Sequence, residues 1–397
     1  MQENSPALFI EIDNNKLSFK VGKKDKDELF ELLYSETFPA IGIENNRITD
    51  IKNLNESVKK ALYSVEQKLK FTFKEAVLIL NDFNFSFLNV SGFKNLNGSQ
   101  LVKENITYII NSIKSKIDNL EKDKKIIHIF NSKYLLDKKT VENLPIGLFG
   151  DFYSHELSFV LINKNDYKNL INLLSDCNLR IKRVISKSFI DGVNLMDKTH
   201  KLNSFIKVEI NESSSKIILF ENSALTFSQE FDFGSQLITN DIAKVILLKK
   251  ENIKSFISKS CLHPGDLGND TLEKEYFENT NYRKIKKKLI YEIADARIQE
   301  IAEIVLFKNI NFKKILEKGI SVYLKIEDQS SRKCFKNSYV SCFSKQNQTF
   351  DFAPEVSLND FMNSTFRIVQ FGWNKEAVPI IRSKRSIIRR FLDLIFA

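Results

Sequence analysis

Side chains that could do chemistry are widely scattered in this 397-residue chain. Its histidines, His128, His155, His200 and His263, lack HxxxH or HExxH spacing and do not read as a metal set. Cys177, Cys261, Cys334 and Cys342 form no CxxC pair, which points away from a zinc or disulfide framework and towards a reducing compartment. No GxSxG, Walker A or GxGxxG motif occurs, so no catalytic residue and no metal ligand is assigned. The constellation with the clearest physical signature is the final stretch, RSKRSIIRRFLDLIFA. As a helix it gathers Ile387, Ile388, Phe391, Leu392, Leu394, Ile395 and Phe396 over an arc of very roughly 200°. Arg389 and Arg390 lie opposite, and Arg382, Lys384 and Arg385 flank the start. Such a helix either closes a core or lies in the plane of a membrane. Basic clustering next to bulky apolar side chains favours the membrane, where each Lys or Arg near an anionic surface adds about 1 kcal/mol.

The elements upstream follow from periodicity. ALFIEIDNNKLSFKVGKK predicts strand, turn at Asp13–Asn15, and strand. Helical spacing covers 54–71, LVKENITYIINSIKSKIDNL and the start of NDYKNLINLLSDCNLRIKRVIS, while 74–84, KKIIHIFNSKYLLD and ELSFVLINK read as strands. FIKVEINESSSKIILFENSALTFSQEFDFG then repeats the opening strand–turn–strand pattern, which suggests duplicated halves. A long helix is expected over 286–307, with Leu289, Ile293, Ala296, Ile301 and Ile304 on its apolar face, followed by a strand at ISVYLKIED.

Composition sets the limits. Hydrophobic residues at 43% and charged residues at 28% describe a globular protein of more than one domain. The formal charge of +10 permits an anionic partner, but the Lys-rich runs alternate with acids and no nucleic-acid motif occurs, so no nucleic-acid partner is expected. The N-terminal stretch has no signal-peptide pattern and no run reaches the roughly 18 apolar residues of a spanning helix, so a cytoplasmic protein is expected.

Several segments resemble the bacterial actin-like cell division family FtsA. FDFGSQLITNDIAKVI is similar to the family pattern IPxGGNxVTNDIAxxL, keeping Gly234 and Thr239-Asn240-Asp241-Ile242-Ala243. LIYEIADARIQEIAEIV keeps Glu292, Arg297 and Glu300, and KKIIHIFNSKYLLDKKTVENLPIGLFG matches a further family segment. The resemblance implies an α/β, actin-like fold of two lobes with the ribonuclease H-like duplication and a C-terminal amphipathic helix. It implies subdomain 1A over 1–82 and 163–203, 1C over 83–162, 2A over 204–237 and 318–380, 2B over 238–317, and a membrane-targeting helix over 381–397.

The resemblance also implies an ATP–magnesium site, and there the residues depart from the family. The first glycine-rich turn is here Glu11-Ile12-Asp13-Asn14-Asn15. The second is Glu209-Ile210-Asn211-Glu212-Ser213-Ser214-Ser215-Lys216, and the adenine-side segment is Tyr323-Leu324-Lys325-Ile326-Glu327-Asp328. Glycine lets backbone N–H groups approach phosphate oxygens, and acids there repel them. A degraded nucleotide site at Asp13, Asn14, Asn15, Asn211, Glu212, Ser213, Ser214 and Lys216, without ATPase activity, is therefore expected.

By resemblance, 2B receives the C-terminal peptide of FtsZ, with Glu292, Asp295, Arg297 and Glu300 as its expected contacts. Subdomain 1C serves self-association into filaments. Membrane contacts are expected at Arg385, Ile387, Ile388, Arg389, Arg390, Phe391, Leu392, Ile395 and Phe396. The function implied is a tether that holds FtsZ polymers to the cytoplasmic face of the cell membrane at the division site and recruits later division proteins. A PilM-type scaffold of a pilus machine and a working actin-like ATPase are the alternatives.

Overall fold

The computed structural model describes residues 5–13, 16–24, 30–44, 47–81, 83–199, 202–259, 270–277, 281–344 and 348–377. Contacts divide the chain into two units, one of Met1–Asp191, Asn222–Thr226 and Ser357–Ala397, the other of Gly192–Glu221 and Phe227–Val356.

In the first unit, alternating and continuous apolar runs form β1 (Ala7–Ile12), β2 (Lys16–Lys24) and β3 (Phe30–Pro39), followed by the short pair β4 (Ile43–Glu44) and β5 (Arg47–Ile48). Helix α1 (Ile51–Leu69) starts where the Asp50 carboxylate accepts from the N–H groups of Lys52 and Asn53, an N-cap that satisfies two open donors. It buries Leu54, Val58, Ala61, Leu62 and Val65, a stripe at helical spacing. Then come β6 (Glu75–Leu80), β7 (Ser86–Asn95), α2 (Lys103–Leu120), β8 (Lys124–Leu136), β9 (Lys139–Val141), β10 (Phe152–Asn163), α3 (Lys164–Ser175), β11 (Arg180–Ser186) and α4 (Lys187–Lys198), of which the residues from Gly192 on count with the second unit. One sheet runs β11-β6-β1-β2-β3, and a second runs β7-β10-β8-β9 with α2 packed on it.

The second unit restarts with β12 (Phe205–Ile210), β13 (Ser215–Glu221) and β14 (Ala224–Phe231), of which Ala224–Thr226 count with the first unit. It continues through α5 (Gln236–Ile246), α6 (Lys250–Lys259), α7 (Lys287–Ala302), α8 (Lys313–Leu316), β15 (Ser321–Ile326), α9 (Gln329–Cys334), α10 (Lys336–Phe343) and β16 (Phe350–Phe352). Its sheet runs β14-β13-β12-β15-β16. This order matches β3-β2-β1-β6-β11 strand for strand. In both, the opening hairpin is antiparallel and the next central strand pairs in parallel. The strand–turn–strand recurrence in the sequence is thus a structural duplication, and the fold is α/β and actin-like in its topology.

Two expectations are corrected. The apolar face of α7 is formed by Ile290, Tyr291, Ala294, Ile298 and Ile301, not by the Leu289-centred stripe. Leu289 and Ile304 are exposed and Ile293 half-buried, because the core lies one residue further round the helix. The segment 318–380, expected wholly in the second lobe, divides: α11 (Leu358–Phe371) and 372–377 belong to the first unit. There Phe366 of α11 packs against Phe30 of β3. Asn14, Asn15 and all of 381–397 lie outside the described residues.

Candidate functional site

The two matching hairpins place one carboxylate each at equivalent points. Alternation directs Leu8, Ile10 and Ile12 of β1 into one core and Ile206, Val208 and Ile210 of β12 into the other. Glu11 and Glu209 therefore leave their strands on the opposite faces, and both are buried.

Glu11 is held by lysines from two elements. Lys20 of β2 pairs with one carboxylate oxygen, and Lys187 at the start of α4 lies 2.7 Å from the other. Burial pushes the Glu11 carboxyl up, but Lys187 and Lys20 outweigh it and hold the group at about 2. Beyond it, the Asp13 N–H donates to the Lys16 carbonyl at 3.0 Å and closes the turn on itself.

Glu209 is held within its own sheet. Lys207, two residues back on β12, lies 2.6 Å away. Lys216 on β13 and Lys325 on β15 are its direct cross-strand partners in register. Burial raises the Glu209 carboxyl, while Lys207, Lys325 and Lys216 lower it well below the ordinary carboxylate range. Lys216 is thus buried beside an acid, while Glu212 at the tip is exposed and pairs with Lys254 at 2.7 Å.

The second turn is closed by its own backbone. Asn211 N–H donates to the Ser214 carbonyl at 2.9 Å, and the Asn211 side-chain amide donates to the Ser214 hydroxyl at 3.2 Å. The N–H groups of Ser235 and Gln236, at the start of α5, donate to the carbonyls of Asn211 and Glu212, both at 2.9 Å. Gly234 makes this approach possible, since a Cβ there would stand 2.2 Å from the Asn211 carbonyl oxygen. At the end of β15, Asp328 caps α9, accepting from Ser330 N–H at 3.0 Å and Ser331 N–H at 3.1 Å.

The charged residues expected on α7 do not form one open surface. Arg297 is tied to Asp241 of α5 and to Glu300, joining two segments that carry the family resemblance. Glu292 and Asp295 are exposed, with Glu292 3.7 Å from Lys288. Beside Glu292 lies a groove of about 550 Å³ lined by Val245, Arg283, Lys286, Lys288 and Leu289, among others. Arg283 fixes one wall by donating to the Ile246 carbonyl at 2.8 Å. The exposed Leu289 is the visible sign of this groove, and its place in a helical apolar series concealed it.

The chain reaches its C-terminal segment through a buried anchor in the first unit. Asn131 N–H donates to the Lys375 carbonyl at 2.6 Å and Ala377 N–H to the Ile129 carbonyl at 2.8 Å, which lays 375–377 along β8. Glu376 lies 2.8 Å from His128 Nδ1 and pairs with Arg183. Ser186 N–H donates to His128 Nε2 at 3.1 Å, which places the imidazole proton on Nδ1, facing Glu376. His128 and His155 are both buried structural residues.

Sequence reasoning did not single out Lys20, Lys187, Lys207 or Lys325. A lysine buried in an apolar strand, as in the LSFKV and FIKVEI patterns, is the signal that could have found two of them.

No family model matches the chain. Curated relatives do. It is 21% identical over 313 residues to "Cell division protein FtsA" of Buchnera aphidicola, spanning 78% of this chain and 74% of that protein. It is 20% identical over 312 residues to the FtsA of Bacillus subtilis, spanning 77% and 70%. Among solved structures, the "PilM-PilN type IV pilus biogenesis complex" superposes with a TM-score of 0.52 at 11% identity, covering 95% of this chain and 99% of that one. That likeness shows the fold alone.

Proposed function

We propose that this chain, a divergent relative of the cell division protein FtsA with an actin-like fold, tethers FtsZ polymers to the cell membrane without using nucleotide. The similarity to FtsA proteins over more than three quarters of the chain carries the reading. The basic, apolar segment 381–397 supports the membrane role. Anchoring of FtsZ, recruitment of later division proteins, self-association and a position on the cytoplasmic face at the division site belong to the same proposal. Among the described residues, no helix is long and apolar enough to cross a membrane. The PilM likeness offers a scaffold with the same fold, but at 11% identity it assigns no partner.

For the FtsZ peptide, the groove beside α7 is the better receptor than the Arg297 face. Val245 and Leu289 offer apolar contact, while Arg283, Lys286 and Lys288 offer charge to acidic residues. Arg297 already spends its guanidinium on Asp241 and Glu300. Titration of an FtsZ C-terminal peptide tests this. Leu289→Asp should weaken binding about tenfold or more, and unchanged affinity would exclude the groove.

An ATP–magnesium site does not fit the residues present. The N–H groups of Asp13, Asn211, Ser235, Gln236, Ser330 and Ser331 already donate to the Lys16, Ser214, Asn211 and Glu212 carbonyls and to the Asp328 carboxylate, which removes them as phosphate donors. The buried lysines face Glu11 and Glu209. Calorimetric titration with ATP and magnesium should show no saturable heat. Micromolar affinity lost on Lys216→Ala would overturn this part.

A further inference from the structure

The short strand 375–377 is clasped on β8 from both faces of the sheet, and each face carries a buried histidine. Alternation along the strand sends Glu376 to one face, where His128 and Arg183 hold its carboxylate. Lys375 goes to the other. Its Nζ lies 4.9 Å from the Tyr134 ring centroid and donates to the Glu142 carbonyl at 3.1 Å. His155 of β10 shares this second face, paired across the strands with Tyr134, their ring centroids 5.1 Å apart. His155 Nε2 lies 2.9 Å from Asn131 Oδ1, and the Asn131 N–H is the donor to the Lys375 carbonyl. Asn131 therefore grips both the imidazole and the strand.

This arrangement holds only a neutral His155. Asn131 Oδ1 accepts, so Nε2 carries the proton and Nδ1 is bare. Among the described residues nothing hydrogen-bonds to Nδ1. A second proton would bury a charged N–H without a partner. The surroundings supply no counter-charge. Tyr134 and Tyr153 face the ring with phenols that burial pushes up, which keeps them neutral. Gly92 of β7 lies opposite, with Ile109 and Ile113 of α2 against it. The charge that does bear on the ring is Lys375, of the same sign as an imidazolium. Burial first, and Lys375 second, hold His155 at about 4 against an ordinary 6.5.

The sign follows. A base depressed in the closed state stabilises that state fully above pH 6.5, and the contribution is lost as pH falls towards 4. On the opposite face burial raises the Glu376 carboxyl, but His128 and Arg183 outweigh it and hold the group below the ordinary 4.5. That grip is present above 4.5 and weakens further down, so both faces loosen in the same direction.

We propose that 373–377 is a pH-sensitive strap, kept closed on β8 by neutral His155 and released when His155 is protonated, while the sheets of the first unit stay folded. Opening lets water reach the imidazolium and moves Lys375 away from it. The strap fixes the point from which the chain continues beyond Ala377, and its release adds up to about 17 Å of chain to whatever follows α11.

The chain carries its own reporter. Trp373 is the single tryptophan, and it opens the strap: its Nε1–H donates to the Ser223 carbonyl at 2.8 Å, and its ring centroid lies 6.3 Å from that of Phe189. The full chain is titrated from neutral pH to below 4 while Trp373 emission, acrylamide quenching and far-UV circular dichroism are followed. Emission should shift to the red and quenching should rise severalfold, with a midpoint between pH 6.5 and 4, while ellipticity keeps its neutral value. His155→Gln, which keeps a donor for Asn131 and takes up no proton, should remove this transition. A transition that survives His155→Gln would overturn the proposal, as would emission and ellipticity changing together at one pH. If His155→Gln does not fold, the separation or coincidence of the two signals in the unaltered chain decides it.

Discussion

The hairpin β1–β2 and the hairpin β12–β13 have the same topology and the same carboxylate, yet each neutralises it differently. Glu11 takes Lys20 from the neighbouring strand and Lys187 from the first turn of α4. Glu209 takes Lys207 from its own strand and faces Lys216 and Lys325 on the strands either side. A duplicated fold has kept an acid at both equivalent places and supplied the counter-charge from unrelated positions. The common requirement is that a buried carboxylate must be paired, and the lysine that does so can come from any element within reach. The two sites differ in their access to water. Lys187 keeps 29% of its side chain exposed, and Lys20 also lies 5.1 Å from the Phe361 ring centroid. Lys207 is almost sealed, at 6%.

That difference orders the expected losses. Glu209→Ala removes the carboxylate that the buried Lys207 and Lys216 face and should cost about 3–5 kcal/mol in urea unfolding. Glu11→Ala should cost less, about 2–3 kcal/mol, because Lys187 can turn to solvent and Lys20 keeps its ring contact. The reverse order would break the comparison.

Acid titration sharpens it. The Glu11 carboxyl sits at about 2 in the folded protein against an ordinary 4.5, so folding depresses it. Its contribution is present above pH 4.5 and is lost as pH falls towards 2, to a total of about 3 kcal/mol. Glu11→Gln should flatten stability across that window, and an unchanged acid limb would show that the pair is not formed.

Gly234→Ala forces a Cβ to 2.2 Å from the Asn211 carbonyl oxygen. It should lower stability by about 2 kcal/mol, read as a drop in thermal midpoint. The smallest effect is expected at Asp328→Ala, which uncaps α9 and should cost about 1 kcal/mol.

Much of this was legible in the sequence. Period-two runs marked both hairpins, and their recurrence announced the duplication that the strand orders bear out. The lysine–carboxylate pairs were not legible, because Lys187 and Lys325 are far from their partners in the chain and only the parallel pairing and the start of α4 bring them close. On α7 the periodicity was clear, but its phase depended on which side α5 and α10 pack. That decides between a buried Leu289 and one that lines a groove. Helix α11 returned to the first unit through contacts such as Phe30 with Phe366, which a local pattern does not encode.

The tether account meets its most direct test in a sedimentation assay combining FtsZ polymers, anionic vesicles and this chain, run with ATP, with ADP and without nucleotide. The account predicts that FtsZ pellets with vesicles only when the full chain is present, and to the same extent under all three conditions. FtsZ remaining in the supernatant, or pelleting only with ATP, would contradict it.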